Sequence, residues 1–542
     1  MNGFLQIFFY TLISAILLAL GIPNELFEFG SPLLGLFSLA PLYLALNACN
    51  SYKKAGFVGA FHFGLVHILS SFWLANFKDF AIFTLGATTL VYIVAGYIFG
   101  NLLYFPFSNK KSKLIQVQHD KFYFPVRILY FASIWTFHEW YKSVGFLAYP
   151  WGTVLMTAYN WKILTQIVSI TGTFGLSFIF SLFAAVIGEG IIIMKEFPKR
   201  VFSGYNFTAA FCMVIFAIST VYGVFAYTKT RTPIKTFDAV LVQQNTNSWE
   251  SGSYLEPLLK AQDLSEKATM DFYEKNGVKP DIILWNESVL NYALPDSYFY
   301  YTRYPREKSL VASIINLGIP HLIGGPILVD ADENLYSNSV ILFDKEGLIE
   351  KWYGKIHLVP FAEVIPYADK PFVKKLMNAI VGFSSGWTPG KELTLFQLQN
   401  KAGQIINFSS PICFEDAFSD LCRQHFLNGS EVFINLTNDS WSLTKSAEYQ
   451  HFVVASYRAI ECRTTLVRST NSGFSVVVDP AGNILDSMPL FESMSKTMTI
   501  PVYERVYTPF AVTGNIIQYF AMIFAVISVL VMKKNSEKFF QC

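Results

Sequence analysis

The stretch Ser410-Pro411-Ile412-Cys413-Phe414-Glu415-Asp416 decides how the rest of the chain is read. Strand-forming residues, Gln404 to Phe408, lead into it, and the chain then presents a thiol with two carboxylates directly behind it. A strand terminus holds a side chain rigidly at a surface, which suits a nucleophile. A lone cysteine is more often a small buried hydrophobe, but two further segments weigh against that reading. Asp281-Ile282-Ile283-Leu284-Trp285-Asn286-Glu287 is an apolar run ending in a carboxylate, and Lys351 to Glu363 is another, carrying Lys355 and Glu363. Glu287, Lys355 and Cys413, each at the end of such a run, make a set of base, electrophile and nucleophile.

Of the 542 residues, 52% are hydrophobic and only 15% charged, where a soluble protein has about a quarter charged. The deficit is concentrated in residues 1–227 and 509–532, so the chain reads as a membrane protein with a soluble insert. A net charge of +2 excludes an electrostatic nucleic-acid binder. The cysteines Cys49, Cys212, Cys413, Cys422, Cys462 and Cys542 form no CxxC pair and no metal spacing with histidine. Pairing of Cys422 with Cys462 stays open.

No charged residue precedes Glu25, and residues 4–20 are long and apolar enough to cross a bilayer. Without a basic leader this segment reads as a retained helix. Further spans are expected near 32–48, 56–77, 81–105, 122–141, 165–194, 207–227 and 509–532. If these eight alternate, Lys53-Lys54, Lys110 to Lys113, Lys195 to Arg200 and Lys533-Lys534 share one side, which the positive-inside rule makes cytoplasmic. Lys229, Arg231 and Lys235 are an exception beside a large translocated domain. The expected division is a seven-helix membrane arm over 1–235, a catalytic domain over 236–505 outside the membrane, and an eighth span with tail over 506–542. Both termini are then cytoplasmic. Within the arm, His62 and His67 read as partner-satisfied, while Glu189 and Arg127 read as side chains reaching for the interface.

In the insert, strands are expected over 237–242, 282–285, 321–329, 339–343, 348–352, 405–408, 432–436, 464–468 and 475–478, with helices over 256–276 and 448–462. Asp344-Lys345-Glu346-Gly347 and Asp479-Pro480-Ala481-Gly482 are hairpin turns. The mixture suggests one two-layered α/β domain.

Glu287 after its apolar run, Lys355-x-His-Leu-Val-Pro-Phe-x-Glu363, and Cys413-Phe414-Glu415 together resemble the Glu-Lys-Cys triad of the nitrilase superfamily. Their surroundings resemble one branch, the apolipoprotein N-acyltransferases. The matching segments are His357 to Pro366, Asn438-Asp439-Ser440-Trp441, Arg458-Ala459-Ile460-Glu461 with Arg468 to Gly473, and, in the arm, Glu139-Trp140, Pro150-Trp151 and Gly172 to Phe178. The resemblance implies eight transmembrane helices with an αββα-sandwich domain on the periplasmic side of a bacterial inner membrane. It implies that Cys413 takes an acyl chain from a phospholipid as a thioester. The chain then passes to the α-amine of a diacylglyceryl-cysteine on an apolipoprotein, the last step of lipoprotein maturation. Glu287 would be the base and Lys355 the oxyanion stabiliser, with Glu363 and Glu415 orienting Lys355 or tuning Glu287. Phe414 stands where the family often has tyrosine, keeping the ring and losing the hydroxyl. Trp249, Phe383, Trp387, Asn438 and Trp441 are the candidate substrate contacts. No metal or organic cofactor is implied. A membrane-tethered carbon-nitrogen hydrolase, an amidase or nitrilase acting on a soluble substrate, would share the triad but leave the eight spans unexplained.

Overall fold

Apolar runs of about 20 residues bury their own backbone polarity only as helices, and the described residues of 3–228 include seven long ones. These are α1 (Gly3–Gly21), α2 (Pro32–Ala48), α3 (Tyr52–Ser70), α4 (Thr88–Ser108), α5 (Asp120–Tyr141), α6 (Phe174–Glu196) and α7 (Ser203–Thr228). The computed structural model describes residues 3–77, 82–108, 119–246, 255–306, 308–364, 370–373, 375 and 386–540. Two compact units result. One holds Met1–Lys229, Thr444–Val454 and Val512–Cys542, and the other Thr230–Leu443 and Ala455–Ala511.

In the helical unit, α1, Thr84–Ser108, α6 and α7 are long and apolar enough to cross a membrane. Pro32–Ala48 and Ile517–Met532 are apolar but shorter. α3 carries Lys53 and Lys54, and α5 carries Asp120, Lys121, Arg127 and Glu139. The expected span at 165–194 is not one helix. Gly172, at φ +68°, ends the short turn Val168–Thr171, and the continuous helix begins at Phe174. The expected span at 56–77 ends as a helix at Ser70 and continues as a 3-10 turn over Phe72–Asn76. α3 and α4 pack backbone to backbone at Gly59, where a Cβ would lie 2.0 Å from the Gly96 carbonyl oxygen.

Arg127 and Glu189 do not reach for the interface. They are 2% and 0% exposed and face each other, Nε to Oε2, at 3.3 Å. Arg127 also donates to Asn47 Oδ1 at 3.1 Å and lies over the Phe107 ring, and the Tyr43 hydroxyl donates to Glu189. Taking one charge alone into an apolar medium is so costly that finding the opposite charge outweighs snorkelling. His62 and His67 each have a hydroxyl partner, Ser14 at 3.0 Å and Thr88 at 2.8 Å. Thr444–Val454 belongs with this unit through real contacts. Lys445 pairs with Glu28 at 2.9 Å, and Gln450 donates to the Pro23 and Ser70 carbonyls at 2.8 Å.

The second unit has two six-stranded sheets. One runs β12-β1-β2-β3-β4-β5, from β1 (Lys235–Gln243), β2 (Ile282–Trp285), β3 (His321–Asp330), β4 (Leu335–Phe343), β5 (Ile349–Gly354) and β12 (Met494–Val502). The other runs β11-β10-β9-β8-β7-β6, from β6 (Phe396–Gln399), β7 (Ile405–Ser409), β8 (Val432–Thr437), β9 (Thr465–Thr470), β10 (Val476–Val478) and β11 (Ile484–Ser487). β2, β8 and β9 are buried along their whole length, so both faces of each sheet need cover. The sheets supply it for each other where β1, β2 and β12 meet β9. Helices supply it outside, with α8 (Glu256–Asn276) over β1 and β12 and α9 (Leu310–Leu317) beside α8. α10 (Ser419–Leu427) and the end of α11 (Lys445–Cys462) belong to the second sheet's side, tied by Ser419 to Glu461 at 2.8 Å. The arrangement is therefore αββα and not two-layered. Both sheets are parallel at their centres, β1-β2-β3 and β7-β8-β9, so their strand ends gather functional side chains at one edge.

Candidate active site

Each of the three expected reactive residues lies beyond the end of a strand, β2, β5 or β7. Glu287 comes two residues after β2, and Ser288 beside it has φ +62°. Gly324 on β3 admits the Glu287 backbone, since a Cβ there would lie 2.5 Å from Glu287 Cα. Lys355 directly follows β5, and its N–H donates to the Asn338 carbonyl at 2.8 Å. Cys413 is not at a strand end. β7 stops at Ser409, and Cys413 opens a 3-10 turn, Cys413–Ala417, at φ +49°. A side chain in that left-handed region costs about 1–3 kcal/mol and persists only where the surroundings over-determine it.

Glu415 and Asn435 do so. Glu415 Oε2 accepts the Ile412 N–H at 2.7 Å, and Oε1 accepts the N–H groups of Ile356 and His357 at 2.7 and 2.9 Å. The Tyr353 hydroxyl donates to both oxygens at 3.1 Å. Asn435 Nδ2 donates to the Pro411 and Cys413 carbonyls at 2.9 and 2.8 Å. None of these Glu415 hydrogen bonds goes to Lys355 Nζ or to Glu287. Glu415 fastens the chain just after Lys355 to the chain just before Cys413. Its carboxyl is pushed up to about 7 by burial, against the pull of three backbone N–H donors and the charge of Lys355.

The remaining groups form one buried cluster. Lys355 Nζ donates to Glu287 Oε1 at 3.1 Å and to Glu363 Oε1 at 2.9 Å. Asn338 Nδ2 donates to the same two oxygens at 2.8 and 2.9 Å. Glu287 Oε2 accepts the Asn438 N–H at 3.1 Å, and Glu363 Oε2 accepts the Val359 N–H at 2.8 Å. The Phe414 ring centre is 5.6 Å from the ammonium. Burial holds the Glu287 carboxyl above its ordinary range. Lys355 opposes that shift and the charge of Glu363 adds to it. Burial disfavours the Lys355 cation, but the two carboxylates and Cys413 outweigh it and hold its pKa well above the usual value. The Cys413 thiol is pushed well up by burial and then by Glu287, against Lys355. A thiol so placed is protonated at neutral pH and needs a base, and Glu287 has Oε2 turned away from the lysine. Lys355 places a buried positive charge beside Cys413.

Two comparisons bear on what this arrangement serves. The family model of the apolipoprotein N-acyltransferase N-terminal domain matches residues 14–186, and that of carbon-nitrogen hydrolase matches residues 312–501. Apolipoprotein N-acyltransferase 2 of Treponema denticola is 42% identical over 539 residues, 98% of each chain. This chain belongs to the apolipoprotein N-acyltransferase family. Apolipoprotein N-acyltransferase 2 of Treponema pallidum is 39% identical over 92% of this chain and 90% of that one. The Borreliella burgdorferi apolipoprotein N-acyltransferase is 29% identical over 91% and 90%.

For this N-acyltransferase family member, the expected substrate contacts fall in different places. Trp249 and Phe383 lie outside the described residues. Trp387 is half-buried, and its N–H donates to the Glu363 carbonyl at 2.8 Å. With Asp296, Ser297, Tyr336 and Glu363 it lines a cleft of about 630 Å³. Asn438 meets Glu287 through its backbone, while its side-chain oxygen accepts from Ser440 and Asn471. Trp441 is half-buried in the turn that follows. Sequence reasoning missed Asn338, although Ser337-Asn338-Ser339 is a polar triplet running into Val-Ile-Leu-Phe on one strand. Cys422 and Cys462 are free thiols. Among the described residues no group of three or more His, Cys, Asp or Glu could hold a metal ion.

Proposed function

We propose that this acyltransferase moves a phospholipid acyl chain through a Cys413 thioester to the α-amine of a diacylglyceryl-cysteine at an apolipoprotein N-terminus. The observation that carries the reading is one buried lysine bridging two carboxylates, Glu287 and Glu363, beside a cysteine held at φ +49°. Glu287 takes the thiol proton, and the sulfur attacks the donor's ester carbonyl. Lys355 stabilises the oxyanion, and the lysophospholipid leaves with the proton. The acceptor amine then attacks the thioester, in ping-pong order.

A membrane arm suits these substrates. Pulling an acyl chain out of the bilayer costs about 0.8 kcal/mol per exposed CH₂, which a catalytic domain working at the membrane surface avoids. We infer eight spans, the four apolar helices together with α2, α3, α5 and the helix Ile517–Phe540. The Lys and Arg clusters support cytoplasmic termini and a periplasmic catalytic domain in a bacterial inner membrane.

The test is incubation of the purified protein with phospholipid and a synthetic diacylglyceryl-cysteinyl peptide, with mass spectrometry of the peptide. The reading expects a gain of one acyl chain on the peptide amine. Release of free fatty acid or ammonia without acylated peptide would instead favour the tethered hydrolase.

A further inference from the structure

The two half-reactions differ in their proton balance. In the first, the sulfur–carbon bond forms and the ester carbon–oxygen bond breaks. The thiol proton ends on the departing alcohol, and Glu287 alone can carry it. In the second, the acceptor arrives mostly as an ammonium, since an α-amine has a pKa of about 7.7–8.0. The carbon–nitrogen bond forms and the carbon–sulfur bond breaks, and the nitrogen passes from ammonium to amide and loses two protons. One returns to the Cys413 sulfur through Glu287. The other must leave the protein, and Glu287 holds only one proton at a time.

We propose that Glu363 accepts this second proton, freeing the acceptor amine for attack, and releases the proton into the cleft beside it. This rests on the function proposed above and assigns Glu363 a catalytic part in the second half-reaction only. Of the two carboxylates on Lys355, Glu363 is the one that lines the cleft of about 630 Å³. Its side chain is 13% exposed, against 7% for Glu287 and 1% for Lys355. It shares both Lys355 and Asn338 with Glu287, so it lies within one hydrogen-bonded group of the base. Two carboxylates around one ammonium leave the cluster short of a positive charge when both are ionised. The ammonium of the acceptor supplies it, whereas the phosphate of the donor would not.

The experiment preloads the full-length enzyme with a Cys413 thioester from phospholipid and chases it in a single turnover. One chase uses the diacylglyceryl-cysteinyl peptide, an ammonium at neutral pH. The other uses hydroxylamine, already a neutral nucleophile there. For Glu363→Gln the peptide chase at pH 7 should slow by about 10²-fold more than the hydroxylamine chase. The gap should close towards about pH 9, as the peptide amine loses its own proton to water. Glu363→Asp keeps a base and should show a gap of less than about tenfold. If Glu363→Gln slowed both chases by the same factor, or by a ratio unchanged with pH, Glu363 would be a positioning residue and the proposal would be overturned. Should Glu363→Gln yield no thioester, the pH dependence of the peptide-to-hydroxylamine ratio in Glu363→Asp decides in the same way. A wild-type enzyme that formed no thioester would reject the underlying function instead.

Discussion

The side-chain nitrogen of Asn338 lies 2.8 Å from Glu287 Oε1, and the same nitrogen reaches Glu363 Oε1 at 2.9 Å. One amide therefore spends both hydrogens holding two like charges on either side of Lys355. Glu287 Oε1 is thus occupied by Lys355 and Asn338, while Oε2 accepts from the Asn438 N–H. Hydrogen bonds to charged groups contribute about 1.5–3 kcal/mol, so Asn338→Leu should slow thioester formation by about 10–100-fold. Asn338→Asp puts a third carboxylate into the cluster and should be worse than Asn338→Leu above neutral pH. Single-turnover acylation of Cys413 by the two variants checks this ranking. Equal rates for both and wild type would remove Asn338 from the site.

Glu287 and Lys355 should separate by pH. Glu287→Gln removes the base, and general-base losses are about 10²–10⁴-fold. The thiol is held well above its ordinary pKa, so acylation in this variant should recover steadily as rising pH ionises it directly. Lys355→Met removes the oxyanion's cation, which costs about 10²–10³-fold. High pH should not restore it. In the wild type, Glu287 must be ionised to act, so the rate should fall at acid pH, beginning above the ordinary carboxylate range because burial raises that group. Rescue of Lys355→Met at high pH without rescue of Glu287→Gln would exchange the two roles.

Glu415 is expected to matter for the fold first and for catalysis through it. Glu415→Leu strands the N–H groups of Ile412, Ile356 and His357, at about 1–3 kcal/mol each. Thermal unfolding in detergent should show a large loss. The sign with pH follows from burial raising this carboxyl from 4.5 to about 7. A folded pKa above the unfolded one means that the group's contribution is complete below about pH 4.5 and is lost as pH rises through about 7. Glu415→Gln has no such titration, so its unfolding temperature should vary less with pH across that window than that of the wild type.

How much of this was legible in the sequence depends on the residue. Glu287 was readable because β2 is a buried, unbroken apolar run and the first charge after it marks the sheet's edge, whereas Lys355 follows a half-exposed strand with Glu350 and Lys351 inside it and was readable from the His357 to Glu363 segment behind it. Parallel strands end on one side, so residues far apart in sequence meet there. Asn338 was not readable, because a polar residue within a strand ordinarily marks a solvent face. Apart from the Tyr353 hydroxyl, the partners of Glu415 are backbone N–H groups, which no side-chain pattern reports. β6, β11 and β12 are edge strands in which exposed or partly buried positions interrupt the apolar ones, so their apolar signal is weak. Arg127 and Glu189 are 62 positions apart, and a hydropathy profile sees each charge but not the pairing.

That pair yields a separate prediction for the helical unit. Removing one partner of a buried ion pair costs about 3–5 kcal/mol, while replacing both by apolar residues is often neutral or stabilising. Arg127→Met and Glu189→Leu should each lower the unfolding temperature in detergent, and the double variant should recover most of the loss. A double variant as unstable as the sum of the singles would show that the two residues act independently.

The most direct test of the central claim is intact-protein mass spectrometry after incubation with phospholipid alone, with no acceptor present. The wild type should gain the mass of one acyl chain. The adduct should map to Cys413, disappear on hydroxylamine treatment and be absent from Cys413→Ala, while Cys422→Ala and Cys462→Ala still form it. A Cys413→Ala protein that still carried the adduct, or still acylated the peptide at a near-normal rate, would contradict the account.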